Sequence, residues 1–373
     1  MAEPAEQRVS LDQALDLATK LQQQGRLDEA RSIYEQVLIK LPHQQRALSM
    51  LASISYQQGD DLQAEAYLDR LIQILLGQVE ESPDAIGPRA AAVNLLLARG
   101  RNVEAETLIS DLKLPLNPIR ATPELFGRKR DDAKARGLPG MIINTMPKSA
   151  SESIWNKLAQ GLGMAQSHLS IGLFPECCLI PFRLARVAEG GIIAKEHIPA
   201  SAHNLKLLEE HGLTRMVVHL RDPRQAMLSW VHFVRDDVSM RLMAPIWRRT
   251  VPPAHIVKGP LDETVDWCIE HYLPILVDFI DGWRRVAADP QSPFQARFLT
   301  FEKFRTEPEA YFDEALDILG APKAGFRAEA QAETVHLRKG ALDEWREVLD
   351  KQRQAAAWKQ IPADMAEQFG WEK

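Results

Sequence analysis

The spacing of hydrophobic positions changes at about residue 140. Before it, apolar residues recur at helical intervals, as in amphipathic helices. After it, short apolar runs alternate with helical stretches. This alternation predicts a parallel sheet with helices on both faces. The predicted strands are Met141–Met146, Gly191–Ala194, Arg215–Leu220 and Ala296–Phe301, and the predicted helices are Ser151–Gly161, Arg224–Val234 and Pro308–Leu319.

A seven-residue pattern occurs three times in the first 120 residues. The sequence QGRLDEA at 24–30 recurs as QGDDLQA at 58–64 and as RGRNVEA at 99–105. The glycines lie 34 and then 41 positions apart, which places an insertion of seven residues near 77–84. Each glycine is predicted to end one helix, and the alanine five positions later to allow close helix packing.

These units resemble the tetratricopeptide repeat over about Leu11–Leu116. The resemblance implies a stack of helix pairs with a concave groove, and such grooves often bind peptide segments. An array that only packs on the next domain, or that mediates self-association, is the alternative interpretation. The residues that fit the pattern are Ala18, Gly25, Ala30, Tyr34 and Pro42 in the first unit and Ala52, Gly59 and Ala64 in the second.

Composition and charge narrow the classes of protein to consider. The chain has 373 residues, with 45 Lys and Arg against 51 Asp and Glu, for a net charge of −6. This charge is not typical of a general nucleic-acid-binding protein, so an anionic ligand has to be held by a local basic cluster. The acidic, polar N-terminus is unlike a signal peptide, and no apolar run approaches the roughly 18 residues of a membrane span. We therefore expect a cytoplasmic protein without a membrane span.

The three cysteines predict neither a disulfide framework nor a metal site. Cys177 and Cys178 are adjacent, and Cys268 stands alone. Adjacent and single cysteines do not have the spacing of zinc ligands or of a disulfide-rich domain. We expect no bound metal.

Polar residues that could carry chemistry follow the predicted strands. In a parallel sheet these positions meet at one edge, where ligands bind. The segment Met141–Ser153 predicts a strand, then a loop of small residues that contains Lys148, and then the start of a helix. In such an arrangement the backbone N–H groups of the loop and of the helix start can bind phosphate. The nucleotide-triphosphatase pattern G-x-x-x-x-G-K-[ST] is absent, and the lysine comes early in the loop. Together with the lack of a magnesium-ligand pattern, this disfavours an ATP-dependent kinase.

Four motifs in chain order resemble those of the sulfotransferases that use 3′-phosphoadenylyl sulfate. They are PKSASES at 147–153, KEHIP at 195–199, VVHLRDPRQAMLSWVHF at 217–233 and RKGALDEW at 338–345. The resemblance spans about Met141–Leu349 and implies the sulfotransferase fold, a P-loop-like parallel sheet with helices on both faces. The predicted domains are an all-α tetratricopeptide domain at 1–120, a linker with a short helix at 121–139, and an α/β sulfotransferase domain at 140–373.

The resemblance implies a role for each matching residue. Sulfuryl transfer needs mainly positioning and charge stabilisation from the protein. His197 would be the general base, Lys148 would meet charge on the leaving phosphate, and Lys195 would bind the sulfonate or hold the loop. The residues implied to bind the donor are Lys148, Ser149, Ala150, Ser151, Glu152, Ser153, Arg221, Ser229, Phe301, Arg338, Lys339 and Gly340.

Three loop positions depart from the family pattern. Ala150 replaces the usual glycine, Ser153 stands where a tryptophan is common, and Glu152 replaces a threonine. A carboxylate beside sulfate and phosphate should repel them, so we predict that Glu152 turns back to the helix start in a capping box with Ser149. Next to the candidate base, Glu196 is predicted to be exposed.

The sequence thus predicts a sulfotransferase that moves a sulfuryl group to a hydroxyl or amine and releases 3′-phosphoadenosine 5′-phosphate (PAP). The repeat domain would recruit a small-molecule or protein acceptor, or a partner protein, and homo-oligomerisation stays open. A catalytically impaired scaffold that acts through its repeats is the alternative. The segment 235–263 is the predicted lid or acceptor wall.

Overall fold

The computed structural model describes residues 10–236, 249–328 and 342–373. Helix pairs make up its N-terminal part, as the repeated glycines predict. The glycine after the first helix of each pair has a positive φ, 78° at Gly25, 80° at Gly59 and 70° at Gly100. A left-handed residue at this position ends the helix, and glycine adopts it without a steric penalty. The pairs are α1 (Leu11–Gln23) and α2 (Leu27–Lys40), α3 (Gln45–Gln57) and α4 (Asp61–Glu81), and α5 (Ile86–Ala98) and α6 (Asn102–Ser110).

Small residues and one longer helix explain the packing and spacing of the repeats. Ala30, Ala64 and Ala105 are buried between helices, as the pattern predicts. Helix α4 has 21 residues whereas α2 has 14, and this extra length accounts for the larger interval before the third glycine. The predicted insertion near 77–84 therefore extends a helix.

Helix α7 (Pro123–Ala135) lies within the predicted linker at 121–139. It begins at a cap in which the Thr122 hydroxyl accepts a hydrogen bond from a backbone N–H of the first turn. Its Phe126 and Ala133 are buried in the hydrophobic cores beside the sheet. This segment is thus largely helical, and the predicted domain boundaries at residues 120 and 140 stay predictions.

The second domain is built on a five-stranded parallel sheet of order β2–β5–β1–β6–β7. In its centre, Ile143 of β1 pairs with Lys195 of β5 and Val217 of β6. The four predicted strands correspond to β1, β5, β6 and β7, and the short β2 and the antiparallel β3–β4 hairpin were not predicted. The strands are β1 (Met141–Thr145), β2 (Ala165–Ser167), β3 (Ser170–Ile171), β4 (Cys178–Leu179), β5 (Ile192–Glu196), β6 (Arg215–Leu220) and β7 (Gln295–Thr300).

Helices cover both faces of this sheet. They are α8 (Ser151–Leu162), α9 (Pro181–Ala188), α10 (Ala202–Glu210), α11 (Pro223–Asp236), α12 (Ala254–Lys258), α13 (Leu261–His271), α14 (Leu273–Ala288), α15 (Phe301–Thr306), α16 (Pro308–Leu319), α17 (Trp345–Val348), α18 (Lys351–Lys359) and α19 (Ala363–Phe369). Ile142 of β1 lies in one core with residues of α11 and α14, and Ile143 lies in the other with α8 and α16. The predicted fold class is confirmed: an all-α repeat domain followed by an α/β domain.

The β3–β4 hairpin joins the two domains. Its Ile171 and Cys178, together with Ile180, belong to the hydrophobic core of the repeats. The Gly172 N–H donates a 3.0 Å hydrogen bond to Oδ1 of Asn94 on α5. The hairpin therefore packs on the last helix pair of the repeat domain.

Three further properties bear on function. Across the described ranges, no helix is both long and apolar enough to cross a bilayer. The same residues contain no group of three or more His, Cys, Asp or Glu side chains placed to hold a metal ion. Cys177, Cys178 and Cys268 are buried free thiols.

Candidate active site

The loop between β1 and α8 has an unusual backbone. Lys148 has a φ of 63° and Ala150 a φ of 66°, both left-handed. A side chain in this region costs about 1–2 kcal/mol for each residue, and such strain persists only where neighbours hold it. Ala150 is the N-cap of α8 and makes no side-chain cap, while Ser149 Oγ donates to Met146 O at 2.5 Å. The predicted capping box between Ser149 and Glu152 is therefore wrong.

The end of β6 turns the carbonyl groups of this loop away from solvent. Arg221 Nη1 donates to Lys148 O at 3.0 Å, and the His219 ring bonds Ser149 O at 2.6 Å. In a trans peptide the C=O and N–H groups point in opposite directions, so the following N–H groups face outward. Among the described residues, the N–H groups of 149–152 have no hydrogen-bond acceptor. Four such N–H groups at a helix start can bind an anion, and residues 146–150 are called the anion-binding loop after this candidate role.

Two cationic side chains, those of Lys148 and Arg221, belong to the loop or contact it. The Lys148 ammonium lies 4.0 Å from the ring centroid of Phe233. The Arg221 guanidinium is buried and lies 4.1 Å from the ring centroid of Phe301, which is 2% exposed. Phe301 therefore supports Arg221, and its predicted contact with a ligand stays a prediction. Lys148 and Arg221, from two motifs that are 73 positions apart in sequence, thus meet at one edge of the sheet.

Glu152 is paired with two cations. Its Oε1 accepts from Lys195 Nζ at 2.5 Å, and its Oε2 lies 3.3 Å from Arg120 Nη2. Partial burial acts to raise the pKa of this carboxyl, but Lys195 and Arg120 hold it below its usual range. The negative charge within the loop is thus neutralised locally. As a consequence, Lys195, a predicted catalytic residue, is already ion-paired with Glu152.

His197 is held in one tautomer. Its Nδ1 lies 2.6 Å from Thr145 O, and a carbonyl oxygen can only accept, so Nδ1 carries the proton and Nε2 bears the lone pair. Burial, followed by the charge of Lys195, lowers the pKa of His197 to about 3. The imidazole is therefore neutral at physiological pH and can accept a proton at Nε2.

A side-chain clamp fixes the segment after β5. Asn144 Nδ2 donates to Ile198 O at 3.0 Å, and its Oδ1 accepts from Ile198 N at 2.9 Å. Because β1 and β5 are neighbours, this clamp ties His197 to the strand that carries the anion-binding loop. Glu196 is 2% exposed and accepts from Ser170 Oγ at 2.5 Å, so the prediction that it is exposed is wrong.

Some of the remaining predicted site residues lie on helices α8 and α11, and others lie outside the described ranges. Ser151 begins α8 and is buried, and Ser153 is buried with its N–H donated to Ala150 O at 3.0 Å. Ser229 lies half-buried on α11, two turns beyond Arg221. The residues that lie outside the described ranges are Arg338, Lys339 and Gly340, and part of the predicted acceptor wall, 237–248.

Sequence reasoning missed four residues that shape this site. Asn144 and His219 are polar residues within apolar strands, and that contrast was a signal that could have identified them. Arg120 and Tyr311 gave no such signal, because their partners are distant in sequence. Arg120 has a φ of 54°, so the described non-glycine residues with positive φ all lie in or beside the loop.

Comparison with known proteins supports the repeat assignment directly. A family model described as tetratricopeptide repeat matches residues 21–77, which confirms the predicted repeat region there. No curated protein sequence matches the chain. A solved structure of mouse sulfotransferase SULT7A1 complexed with PAP is similar, with 11% identity and a TM-score of 0.45. The alignment covers 68% of this chain and 97% of that chain. At this level of similarity, the functional assignment depends on the loop and histidine geometry.

Proposed function

We propose that the α/β domain is a sulfotransferase that uses 3′-phosphoadenylyl sulfate and acts in the cytoplasm on a hydroxyl or amine acceptor. One observation carries the proposal: a neutral histidine with a basic Nε2 follows β5, beside a strained loop that offers four N–H groups. Anion binding and proton acceptance are the two tasks that sulfuryl transfer requires of the protein.

The residues present fit a donor of this kind. The N–H groups of 149–152 and Lys148 would hold the 5′-phosphosulfate, and Arg221 with Ser229 would hold the 3′-phosphate. Arg338, Lys339 and Gly340 are proposed to contribute to the 3′-phosphate site. The donor supplies an activated sulfuryl group and a phosphate leaving group, and no metal is needed in this proposal.

The chain contributes a proton acceptor and charge stabilisation. His197 Nε2 would take the acceptor's proton, and Thr145 O would stabilise the resulting imidazolium through Nδ1–H. Lys148 would stabilise negative charge that develops on the leaving phosphate. Lys195 would hold the loop through Glu152, or reach the sulfonate once that pair opens.

The repeat domain is proposed to recruit the acceptor or a partner protein. The β3–β4 hairpin links it to the site, because Ile171 packs in the repeat core while Ser170 donates to Glu196 next to His197. Binding to the repeats would therefore occur on a surface that is connected to the base. Homo-oligomerisation through the repeats is an alternative use of the same domain.

A second candidate function is a scaffold whose sulfotransferase-like domain has lost catalysis. The Glu152 carboxylate favours it, because its ion pair occupies Lys195, a predicted catalytic residue. Binding of PAP without sulfuryl transfer to a broad panel of acceptors would support this candidate over the enzyme.

Donor-dependent labelling tests the proposal. Purified full-length protein is incubated with ³⁵S-labelled 3′-phosphoadenylyl sulfate and the metabolites and proteins of a host lysate. We expect label to appear in an acceptor with the native chain and to be lost with Lys148→Ala. Equal labelling by both proteins would contradict the role of Lys148, and labelling by neither would contradict the enzymatic assignment.

A further inference from the structure

Two buried residues that take no part in the proposed chemistry are joined to the anion-binding loop. His219 lies on β6 and Tyr311 on α16, and neither has exposed surface. His219 Nε2 lies 2.6 Å from Ser149 O, and its Nδ1 lies 2.9 Å from the Tyr311 hydroxyl. A continuous chain of hydrogen bonds therefore runs from the helix layer through the sheet to the loop.

The direction of these hydrogen bonds follows from the chemistry of the groups. Ser149 O can only accept, so His219 Nε2 carries a proton. Burial lowers the pKa of His219 to about 4, which leaves the ring neutral and Nδ1 as an acceptor. The Tyr311 hydroxyl must then donate to Nδ1. Without that donor the imidazole could adopt the other tautomer, whose Nε2 lone pair would face the carbonyl oxygen.

The position of the Ser149 carbonyl matters for the anion site. It belongs to the same peptide unit as the Ala150 N–H, so holding the oxygen toward β6 points the N–H outward. Ser149 lies between two left-handed residues, Lys148 and Ala150, whose strain has to be balanced by such contacts. Release of the carbonyl would let this peptide rotate and present an oxygen to the anion.

We propose that Tyr311 and His219 are positioning residues for the donor: Tyr311 fixes the tautomer of His219, and His219 holds the Ser149–Ala150 peptide in its anion-binding orientation. This inference rests on the proposed function, because the ligand is the 5′-phosphosulfate of the donor, or the 5′-phosphate of PAP.

Four variants separate positioning from general stability. Tyr311→Phe removes only the hydroxyl, His219→Leu removes both ring nitrogens, and His219→Gln keeps an N–H near the position of Nε2. The matched control is Tyr34→Phe, since the Tyr34 hydroxyl is also buried and bonds Thr19 Oγ1 at 2.9 Å within the repeats. Chemical denaturation of each variant reports stability, and calorimetry reports the affinity for PAP.

The expected results follow from the loss of one or two buried hydrogen bonds. We expect PAP affinity to fall about threefold to tenfold in Tyr311→Phe and tenfold or more in His219→Leu. His219→Gln should restore most of the affinity, and Tyr34→Phe should leave it unchanged despite a similar loss of stability. Equal PAP affinity in native protein, Tyr311→Phe and His219→Leu would overturn the inference. If His219→Leu does not fold, the two Tyr→Phe variants decide the question.

Nitrogen NMR of labelled histidine supplies a readout that stability does not affect. The native protein should show His219 as the Nε2–H tautomer, and Tyr311→Phe should show a mixture with Nδ1–H. An unchanged tautomer in Tyr311→Phe would overturn the role of Tyr311. Titration with inorganic sulfate separates the two proposals. If the protein binds sulfate but does not bind PAP, the proposed donor is rejected, and the effect of the variants can still be measured on sulfate. If it binds neither sulfate nor PAP, both proposals are rejected.

Discussion

Left-handed backbone occurs both in the turns of the repeats and in the anion-binding loop, but different residues adopt it. In the repeats it falls on Gly25, Gly59 and Gly100, and a Cβ added to any of these glycines would meet no atom within 4 Å. In the anion-binding loop it falls on Lys148 and Ala150, which have side chains. The repeat turns are therefore unstrained, whereas the loop carries strain.

This difference indicates where structure serves folding and where it serves binding. Glycine lets the helix pairs close without help from neighbours. The loop is instead held by His219 and Arg221, which bond the carbonyls of Ser149 and Lys148. Strain that is maintained by buried contacts is typical of functional sites.

The largest expected effect is on catalysis. His197→Ala should lower the rate of sulfuryl transfer by about 10²- to 10⁴-fold, because it removes the proton acceptor, and should leave PAP affinity nearly unchanged. The matched control is His211→Ala, since His211 Nδ1 also bonds a carbonyl, Leu207 O, at 2.8 Å but lies at the end of α10. Steady-state kinetics of both variants check this.

The pH dependence of kcat/KM tests the state of the same residue. Because the pKa of His197 is lowered to about 3, its imidazole stays neutral between pH 8 and pH 6. Protonation of His197 should therefore not lower kcat/KM in this range. The bound donor is anionic and should raise this pKa, so the acid limb of kcat should lie at a higher pH than that of kcat/KM. An acid limb of kcat/KM centred near pH 6.5 would show that the pKa of His197 is not lowered.

Stability should depend on pH through His219. A histidine whose pKa falls from 6.5 unfolded to about 4 folded binds fewer protons when folded. Its contribution is therefore intact above pH 6.5 and is lost as the pH falls toward 4. The free energy of unfolding should drop by about 2 kcal/mol from this residue between pH 7 and pH 5. Urea titrations of the native protein and His219→Gln at several pH values check this. The same change in the free energy of unfolding with pH in both proteins would contradict it.

Reciprocal substitutions test the backbone comparison directly. Gly59→Ala should destabilise the repeats by about 1 kcal/mol, since a Cβ there meets no neighbour but has an unfavourable φ. Ala150→Gly should stabilise the second domain by up to about 1 kcal/mol, because it relieves the same strain. Thermal unfolding of both variants shows whether each substitution raises or lowers stability. A destabilised Ala150→Gly would show that the loop is not strained in this way.

The smallest effect concerns the charge in the loop. Glu152→Gln should raise PAP affinity about twofold to fivefold, because it releases the positive charge of Lys195 from a partly exposed ion pair. The matched control is Glu189→Gln, since Glu189 pairs with Lys134 and Arg186 on the surface. Calorimetry with PAP checks this, and weaker binding by Glu152→Gln would assign the carboxylate a direct role in holding the ligand.

Local patterns were enough to predict most of the fold. The repeat glycines and alanines act within single helix pairs, and the predicted strands β1, β5, β6 and β7 have five or six residues, of which at least three are apolar. By contrast, β2 has three residues, and β3 and β4 have two each. These strands are too short to show an alternation of apolar and polar positions. Their pairing depends on tertiary contacts, so sequence reasoning missed them.

The candidate site was predictable in its residue types but not in its pairings. The motifs indicated Lys148, His197 and Arg221 because each follows a strand. The ion pair between Glu152 and Lys195 depends on the order of strands in the sheet, and a capping box was the better local interpretation. The contact between His219 and Tyr311 joins residues 92 positions apart, so no local rule could have found it.

Calorimetric titration of the chain with PAP shows directly whether the strained loop with Lys148 binds the 5′-phosphate end of a 3′-phosphoadenosine nucleotide. Native protein should bind PAP at one site, and Lys148→Ala should bind it at least about tenfold more weakly, since a charge-assisted contact is lost. No binding by the native protein, or equal binding by both, would contradict the account.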